Sequence, residues 1–484
     1  MPSHRVYRHL MLMTCFVLGL IVLVVVNDNS DVRAGENTEE VDNSNLYDEL
    51  RTFTDVLALV QRDYVREVGS KKLVEGAIKG MLATLDPHSG YLDPDFYQDL
   101  QVQTRGEFGG LGIEITIRDG LLIVVAPMEG SPAAQVGIRP GDAIVKIDGK
   151  FAKEFSLVDA VKKLRGPKGS AVMLSISRKG HTDLLEFKVV RDNIAVRSVR
   201  SRYIGDGYGY VRVSQFMEKT TEDLRSELDS LRKQNGNKDL RGLILDMRNN
   251  PGGLLTQAIG VADLFLKQGV IVYTDGRVEK QRQRFFAHER GTEPEYPMIV
   301  LVNGGSASAA EIVAGAVKDH GRGLVLGTKT FGKGSVQTIS PLQNGGAVTL
   351  TTALYYTKSG RSIQATGIVP DIEMENPPLE SPDQKLTRGQ SRIRPMREED
   401  LPGAIENPSG SGTKDKGAEP ADSSGAAPQA LDPLKEELSV WLERDPQLQR
   451  ALDLLKTFNI FRTGNPEKIL QEVKSAELGA AAPG

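Results

Sequence analysis

Asn303-Gly-Gly-Ser-Ala-Ser-Ala-Ala-Glu-Ile312 sets a small serine at the start of an amphipathic segment, directly after the apolar run Met298–Val302. Downstream, Phe331-Gly-Lys-Gly-Ser-Val-Gln337 sets one lysine in a glycine-rich loop, with a glutamine four residues on. A serine hydroxyl needs a base to become a nucleophile, and a lysine serves when burial lowers its pKa enough to leave the amine neutral. Ser308 and Lys333 therefore point to a serine hydrolase that needs no histidine. Two plainer roles stand beside this one. Ser306 or Ser308 could be an N-cap, the commonest job for serine at such a place, and Lys333 could be a solvated loop lysine.

Other chemistries find less support. Gly327-Thr-Lys-Thr-Phe-Gly-Lys333 matches the start of a phosphate-binding loop, but Gly334 stands where the magnesium-binding Ser or Thr belongs. Gly106, Gly109 and Gly112 lack the Gly-x-Gly of the dinucleotide fingerprint. Of the six histidines, His4 and His9 lie near the N-terminus, and His88 and His181 lie outside the expected catalytic core. His288 and His320 lie in polar or helix-end settings, so a Ser-His-Asp triad is not expected. His88 falls in the breaker-rich turn Leu85-Asp-Pro-His-Ser-Gly-Tyr91 and is expected to act as a turn hydrogen-bonder. No His-x-x-x-His or paired cysteine suggests a metal, and no cofactor is expected. With 60 Lys and Arg against 64 Asp and Glu, interspersed along the chain, no basic stripe with interleaved aromatics points to nucleic acid.

The elements that must position Ser308 and Lys333 follow from the pattern between 203 and 320. Strands are expected at Tyr208–Phe216, Arg241–Met247 and Met298–Val302, and helices at Glu222–Gln234, Leu254–Leu266 and Ser308–His320. Such alternation implies an α/β core with at least partly parallel pairing. Sites in such sheets form beyond the carboxyl ends of strands. Three candidate site loops sit there: 248–253, 303–308 and 328–337.

Residues 105–192 read as a small β-rich module. Gly109-Gly-Leu-Gly-Ile113 opens the alternating strand Ile113–Ile117, and two short helices and further strands follow. The order of elements resembles a PDZ domain. The N–H groups of Leu111, Gly112 and Ile113 would form a nest for a terminal carboxylate, and the strand would accept a peptide by β-addition. Residues 46–100 read as amphipathic helices.

The two ends differ in character. Arg5, Arg8 and His9 precede the apolar run Leu10–Val26, the mark of an export signal. The run is long for a cleaved signal and short for a spanning helix, which takes roughly 17–25 residues. Its Leu/Val-rich core favours an uncleaved anchor. The one cysteine, Cys15, lies inside the run. After Met374 the sequence turns Pro/Ser/Gly/Lys/Glu-rich to Ala430, too poor in apolar residues to build a core. From Leu431 an apolar helical face returns through Trp441, Leu448, Leu452 and Leu455. That face could pack on the chain's own core or on another subunit or partner.

Ser306-Ala-Ser-Ala-Ala-Glu-Ile312, Phe331-Gly-Lys-Gly-Ser-Val-Gln337 and Asp246-Met-Arg-Asn-Asn-Pro-Gly-Gly253 resemble, in order, the three signature stretches of the carboxyl-terminal processing proteases, also called tail-specific proteases. The resemblance runs from about Leu46 to Glu375, with the PDZ module inserted as in that family and Leu85-Asp-Pro-His-Ser-Gly-Tyr-Leu92 matching its N-terminal helical region. Ala310 stands where the family usually has serine, and Met247 where it usually has leucine. The resemblance implies Ser308 as nucleophile, Lys333 as general base and Gln337 as the residue that orients the lysine. The oxyanion would be held by the N–H groups of Ala309 and one of Gly252 or Gly253.

The expected fold is α/β (α+β) and multidomain. Residues 1–34 form a signal peptide or signal anchor, 35–104 an N-terminal helical region, 105–192 the PDZ domain and 193–375 a mixed-sheet Ser/Lys protease core. Residues 376–430 are a disordered linker and 431–484 a C-terminal helical tail. The expected function is an exported serine endopeptidase cleaving proteins near their C-termini, its PDZ domain capturing substrate tails. Arg165, in the turn Leu164-Arg-Gly-Pro-Lys168, is a regulatory candidate. Expected partners are proteins with exposed C-termini, further copies of the chain, an activator or adaptor protein, and a membrane through the N-terminal run. Nucleic acid is not expected. The expected location is the periplasm, with anchorage to the inner membrane if the run is retained. The alternative is a catalytically silent PDZ scaffold for exported proteins.

Overall fold

The computed structural model describes residues 45–375, 396–408 and 437–463. The segments expected as signal or anchor, as most of the linker and as the last part of the tail lie outside the described residues. Helix α1 (Leu46–Asp63) is amphipathic, and none of its residues is buried. Helix α2 (Ser70–Ala83) leads to a short strand, β1 (Gly90–Leu92), and to α3 (Pro94–Arg105), capped by Asp93, whose carboxylate accepts the Phe96 N–H. Among the described residues no helix is long and apolar enough to cross a membrane.

Residues 107–195 build a β-rich module of their own. A ribbon of β2 (Glu107–Gly110) and β9 (Asp192–Ala195) closes its two ends together. Between them lie β3 (Ile113–Arg118), β4 (Leu121–Pro127), α4 (Pro132–Gln135), β5 (Ala143–Ile147), β6 (Lys150–Phe151), α5 (Leu157–Leu164), β7 (Ala171–Ser177) and β8 (Leu185–Val190). The sheet order β3-β4-β5-β7-β8 leaves β3 at an edge. The module has its own apolar core around Val124, Ile144, Leu174, Ile176 and Val189.

The remaining chain builds two sheets. The first contains β10 (Val199–Gly205), β11 (Tyr208–Val213), β12 (Gly242–Asp246), β15 (Met298–Val302), β16 (Leu324–Gly327) and β19 (Ile372–Glu373) in the order β10-β11-β12-β15-β16-β19. All pairings from β11 onward are parallel. Its central strands β11, β12 and β15 are buried on both faces, as the apolar runs of β12 and β15 require. Leu243, Leu245, Met298, Val300 and Val302 point to α6 (Thr220–Gln234), α7 (Leu255–Asp263) and α8 (Ala309–Asp319). Ile244, Ile299, Leu301 and Leu326 point the other way, to α9 (Leu438–Arg444) and α10 (Pro446–Thr463). The second sheet is antiparallel, formed by β13 (Gly269–Asp275), β14 (Gln283–Ala287), β17 (Ser335–Pro341) and β18 (Ala347–Thr357) with β1. The sequence reading did not anticipate it, and it corrects the loop expected over 328–337. The loop ends at Gly334, and Gln337 stands on β17.

The choice left open for the C-terminal helices is settled by packing. Trp441 meets the Tyr210 ring edge-on at 4.7 Å, and Leu448, Ala451, Leu452 and Leu455 complete the layer. The apolar face covers the chain's own sheet. Trp441→Ala is expected to cost about 3–5 kcal/mol as a large-to-small core change and to lower Tm by roughly 10 °C, read by circular dichroism. An unchanged Tm with an altered sedimentation coefficient would return Trp441 to a subunit contact.

The linker expected over 376–430 also needs correction. Residues 396–408 lie against the core, and Glu398 is fully buried there. Its burial is satisfied by hydrogen bonds with His88 and Gln364, which hydropathy does not register.

Candidate active site

Strands β12, β15 and β16 are neighbours, so the loops leaving their carboxyl ends lie side by side. They are laced together. Ala307 N–H donates to Asn250 O at 2.9 Å, Ser306 Oγ donates to Met247 O at 2.8 Å, and Phe331 N–H donates to Ser306 O at 3.0 Å. Asn249 N–H donates to Asn303 Oδ1 at 2.8 Å, and Asn303 Nδ2 returns a bond to Asn249 Oδ1. Ser306 is thus a buried strut between loops, which takes it out of the choice left open between Ser306 and Ser308.

Ser308 precedes α8 with φ 54° and ψ −112°. A non-glycine residue rarely adopts that backbone, at a cost of order 1–3 kcal/mol. No N–H of the first helical turn donates to Ser308 Oγ, so the hydroxyl is not the cap. Glu311 reaches back instead, its Oε2 accepting the Ser308 N–H at 2.8 Å. Gly252 leaves room for this turn: a Cβ there would lie 2.8 Å from Ser308 Cβ and 3.1 Å from Ala309 N.

The same Glu311 holds the lysine loop. Oε2 also accepts the Lys333 N–H at 2.9 Å, while Oε1 accepts Gly332 N–H at 2.8 Å and Thr330 Oγ1 at 2.5 Å. The backbones of Ser308 and Lys333 therefore share one carboxylate oxygen. Glu311 is wholly buried; burial pushes it up to about 7, outweighing the four donors that favour the ionised form. Burial also holds the Lys333 ammonium below its ordinary range, against the negative charges of Glu398, Asp86 and Glu311. Among the described residues its Nζ makes no hydrogen bond or ion pair.

Gln337 faces the same region from β17. Its Nε2 donates to Ser335 Oγ at 3.0 Å and to Thr351 Oγ1 at 3.4 Å, with no bond to Lys333. Thr351 in turn donates to Asp86 Oδ1 at 3.0 Å. Asp86 is buried, and bonds from Ser89, the His88 N–H and Thr351 hold it below the usual carboxylate range despite that burial. His88 is more than a turn residue. Its Nε2 lies 2.8 and 2.9 Å from the two oxygens of Glu398.

The N–H of Gly252 donates to Asn250 Oδ1 at 2.9 Å. Among the described residues neither the Ala309 N–H nor the Gly253 N–H has a backbone partner. Gly253 bridges to Phe216 with φ 138°, where any Cβ would strike Phe216 O at 2.1 Å. Behind this loop, Asp246 and Arg248 form a buried pair, and Arg248 continues to Asp445 at 2.6 and 2.9 Å and to Gln447. The C-terminal helices thereby brace the loop from below, a connection no local pattern announces.

Leu111, Gly112 and Ile113 line a groove of about 210 Å³ between β3 and α5, with Phe108, Val161 and Leu164 as its apolar walls. Gly112 sits at φ 68°, and a Cβ there would meet Ser131 Cβ at 2.4 Å. Arg165 stands at the groove's end, 4.9 Å over the Phe108 ring, and donates to Asp99 of α3 at 3.2 Å. It touches neither Ser308 nor Lys333.

Residues 207–374 match the model of peptidase family S41, residues 123–178 that of a PDZ domain, and residues 18–96 that of the activating protease CtpB N-terminal domain. The chain is 49% identical over 351 residues to a carboxy-terminal-processing protease of Bartonella bacilliformis, covering 72% of this chain and 81% of the relative. It is 37% identical over 323 residues to the carboxy-terminal processing protease CtpA of Bacillus subtilis, covering 66% of this chain and 67% of the relative. Among solved structures, a photosystem II D1 C-terminal processing protease superposes with a TM-score of 0.40 at 31% identity, covering 68% of this chain and 93% of that one.

Proposed function

From the premise that the chain belongs to the carboxy-terminal-processing proteases of peptidase family S41, and so is a serine-type peptidase carrying a PDZ domain, we propose that Ser308 and Lys333 form its catalytic dyad. The observation that carries this reading is the shared Glu311 oxygen, which fixes the backbones of both residues to one point. Neutral Lys333 takes the Ser308 proton as Oγ attacks the peptide carbonyl. The oxyanion takes the N–H groups of Ala309 and Gly253, neither of which has a hydrogen-bond partner among the described residues; Gly252, whose N–H serves the Asn250 side chain, gives close packing. Lys333 returns its proton to the leaving amine, and water then hydrolyses the acyl-enzyme. Gln337 orients the lysine by turning its carboxamide oxygen to the ammonium. The intact set of Ser308, Lys333 and Gln337 speaks against a silent scaffold.

The PDZ groove captures the substrate's C-terminal tail. The tail adds as a strand to the free edge of β3, its carboxylate on the N–H groups of Leu111, Gly112 and Ile113 and its last side chain against Ile115, Val161 and Leu164. Arg165, which joins the groove to α3, couples tail binding to the rest of the chain. Substrates are exported proteins, the N-terminal run being the export signal, and further copies of the chain or an adaptor are its partners. A peptide substrate with a free C-terminal carboxylate is expected to show a KM at least about tenfold below that of its C-terminal amide, because the amide loses the charge the nest receives. Equal kcat/KM for acid and amide would show that the groove does not read the terminus.

A further inference from the structure

Lys333 takes its surroundings from three places far apart in sequence. Glu311 comes from the nucleophile's helix, Asp86 from the turn before β1, and Glu398 from the 396–408 strap, which lies beyond the region matched to the S41 model. Glu398 is inserted without solvent access. Its carboxylate chelates His88 Nε2 through both oxygens, at 2.8 and 2.9 Å, and accepts Gln364 Nε2 at 3.0 Å. Its backbone N–H donates to Phe331 O at 3.2 Å. Gln364 closes the circuit by accepting the Gly334 N–H at 2.9 Å, and its Nε2 also donates to Ile405 O of the strap. Phe331 and Gly334 flank the lysine loop, so the strap grips both ends of the turn that carries Lys333. A buried carboxylate with so few donors is costly unless positive charge stands near. Among the described residues, the basic side chains beside it are His88 and Lys333.

We propose that Glu398 is a positioning residue for Lys333: paired with His88, it holds the lysine loop in place and decides how firmly the lysine keeps its proton. The inference rests on the dyad reading, with Lys333 as the base. Asp86 and Glu311 face the same ammonium and pull in the same direction, but both are saturated by hydroxyl and N–H donors. Among the described residues the Glu398 carboxylate is held by His88 and Gln364. Its charge is the one whose effect on Lys333 depends on a partner. Removing that charge makes the lysine easier to deprotonate; removing the partner leaves Glu398 to the lysine alone and makes it harder.

The test compares pH profiles of kcat/KM for the full chain and for Glu398→Gln, His88→Gln and Glu398→Asp. The rate of Ser308 labelling by a fluorophosphonate serves as a second readout where turnover is too slow to follow. The acid limb of Glu398→Gln is expected about 0.5–1 unit below that of the unaltered chain, and that of His88→Gln above it, as the loss or gain of a nearby opposite charge requires. Glu398→Asp keeps the charge and is expected to restore the original limb even if its rate is lower. Limbs that stay in place in both Gln variants, whatever the loss of amplitude, would reduce the strap to a structural brace and overturn the proposal. Lys333→Ala, run alongside, separates the two failures. An active Lys333→Ala enzyme sinks the dyad itself, whereas an inactive one with immobile limbs sinks only the role of Glu398.

Discussion

Ser308→Ala and Lys333→Ala are each expected to lower kcat for peptide hydrolysis by about 10⁴–10⁶-fold, and the double variant to fall no further, because nucleophile and base act as a unit. Both variants should retain the far-ultraviolet circular dichroism of the unaltered chain. Neither side chain is a hydrogen-bonding strut: Ser308 Oγ caps nothing, and Lys333 contributes its backbone N–H, which alanine keeps. The pH dependence follows from the lysine. Its ammonium is held below the ordinary value of roughly 10.4 by burial, and the working form is the amine. Activity therefore rises with pH through an ionisation below that value. The limb belongs to Lys333 and not to a histidine if it persists in His288→Gln and His320→Gln and is shifted but not abolished in His88→Gln. Substantial activity in Lys333→Ala would mean that another group takes the proton.

The chemistry of this site was more legible than its support. Ser308 and Lys333 stand in local patterns, an apolar strand followed by a glycine-flanked serine and a lysine between two glycines, and local patterns survive in a linear reading. So did the parallel strands β12 and β15, because strands buried on both faces are unbroken apolar runs. The antiparallel sheet was missed because β17 and β18 alternate threonine and serine with half-buried apolar residues and follow a glycine-rich turn. Nothing in Ser335-Val-Gln-Thr-Ile339 separates a strand from an extended loop until β18 pairs with it. The apolar face of the C-terminal helices was visible, but not its partner, since Tyr210 and Ile244 lie some two hundred residues earlier. Asp86, His88 and Glu398 were the least legible. Their roles are created by burial and by each other, and a polar residue in a Pro- or Gly-rich stretch gives no hint of either.

Glu311 carries the second large effect, and its chemistry makes Gln the informative replacement. Four donors converge on its carboxylate, two on each oxygen, and three of them are backbone N–H groups that cannot rotate away. Gln keeps the volume but places an N–H₂ where two of those donors point. Whichever way the amide turns, it faces either the Ser308 and Lys333 N–H pair or the Gly332 N–H with Thr330. Buried groups left without an acceptor cost about 1–3 kcal/mol. With the amide nitrogen toward Ser308 its strained backbone loses the bond that holds it at φ 54°, and with the nitrogen the other way the lysine loop loses its hold at Thr330 and Gly332. A shift of the nucleophile of order 1 Å lowers turnover about 10²-fold. Glu311→Gln assayed at pH 8 is therefore expected to lose at least that factor in kcat while binding substrate tails as before. The pH dependence of its stability gives an independent reading. In the unaltered chain the folded-state carboxyl is raised to about 7 from an ordinary 4.5. Between those values the folded protein holds a proton that the unfolded chain has released, so stability falls as pH rises through the window. The Gln variant has no proton to hold there. Its Tm should lack that decline, and a variant whose Tm falls in parallel with the unaltered chain would show that Glu311 is ionised throughout and that the decline belongs to another group.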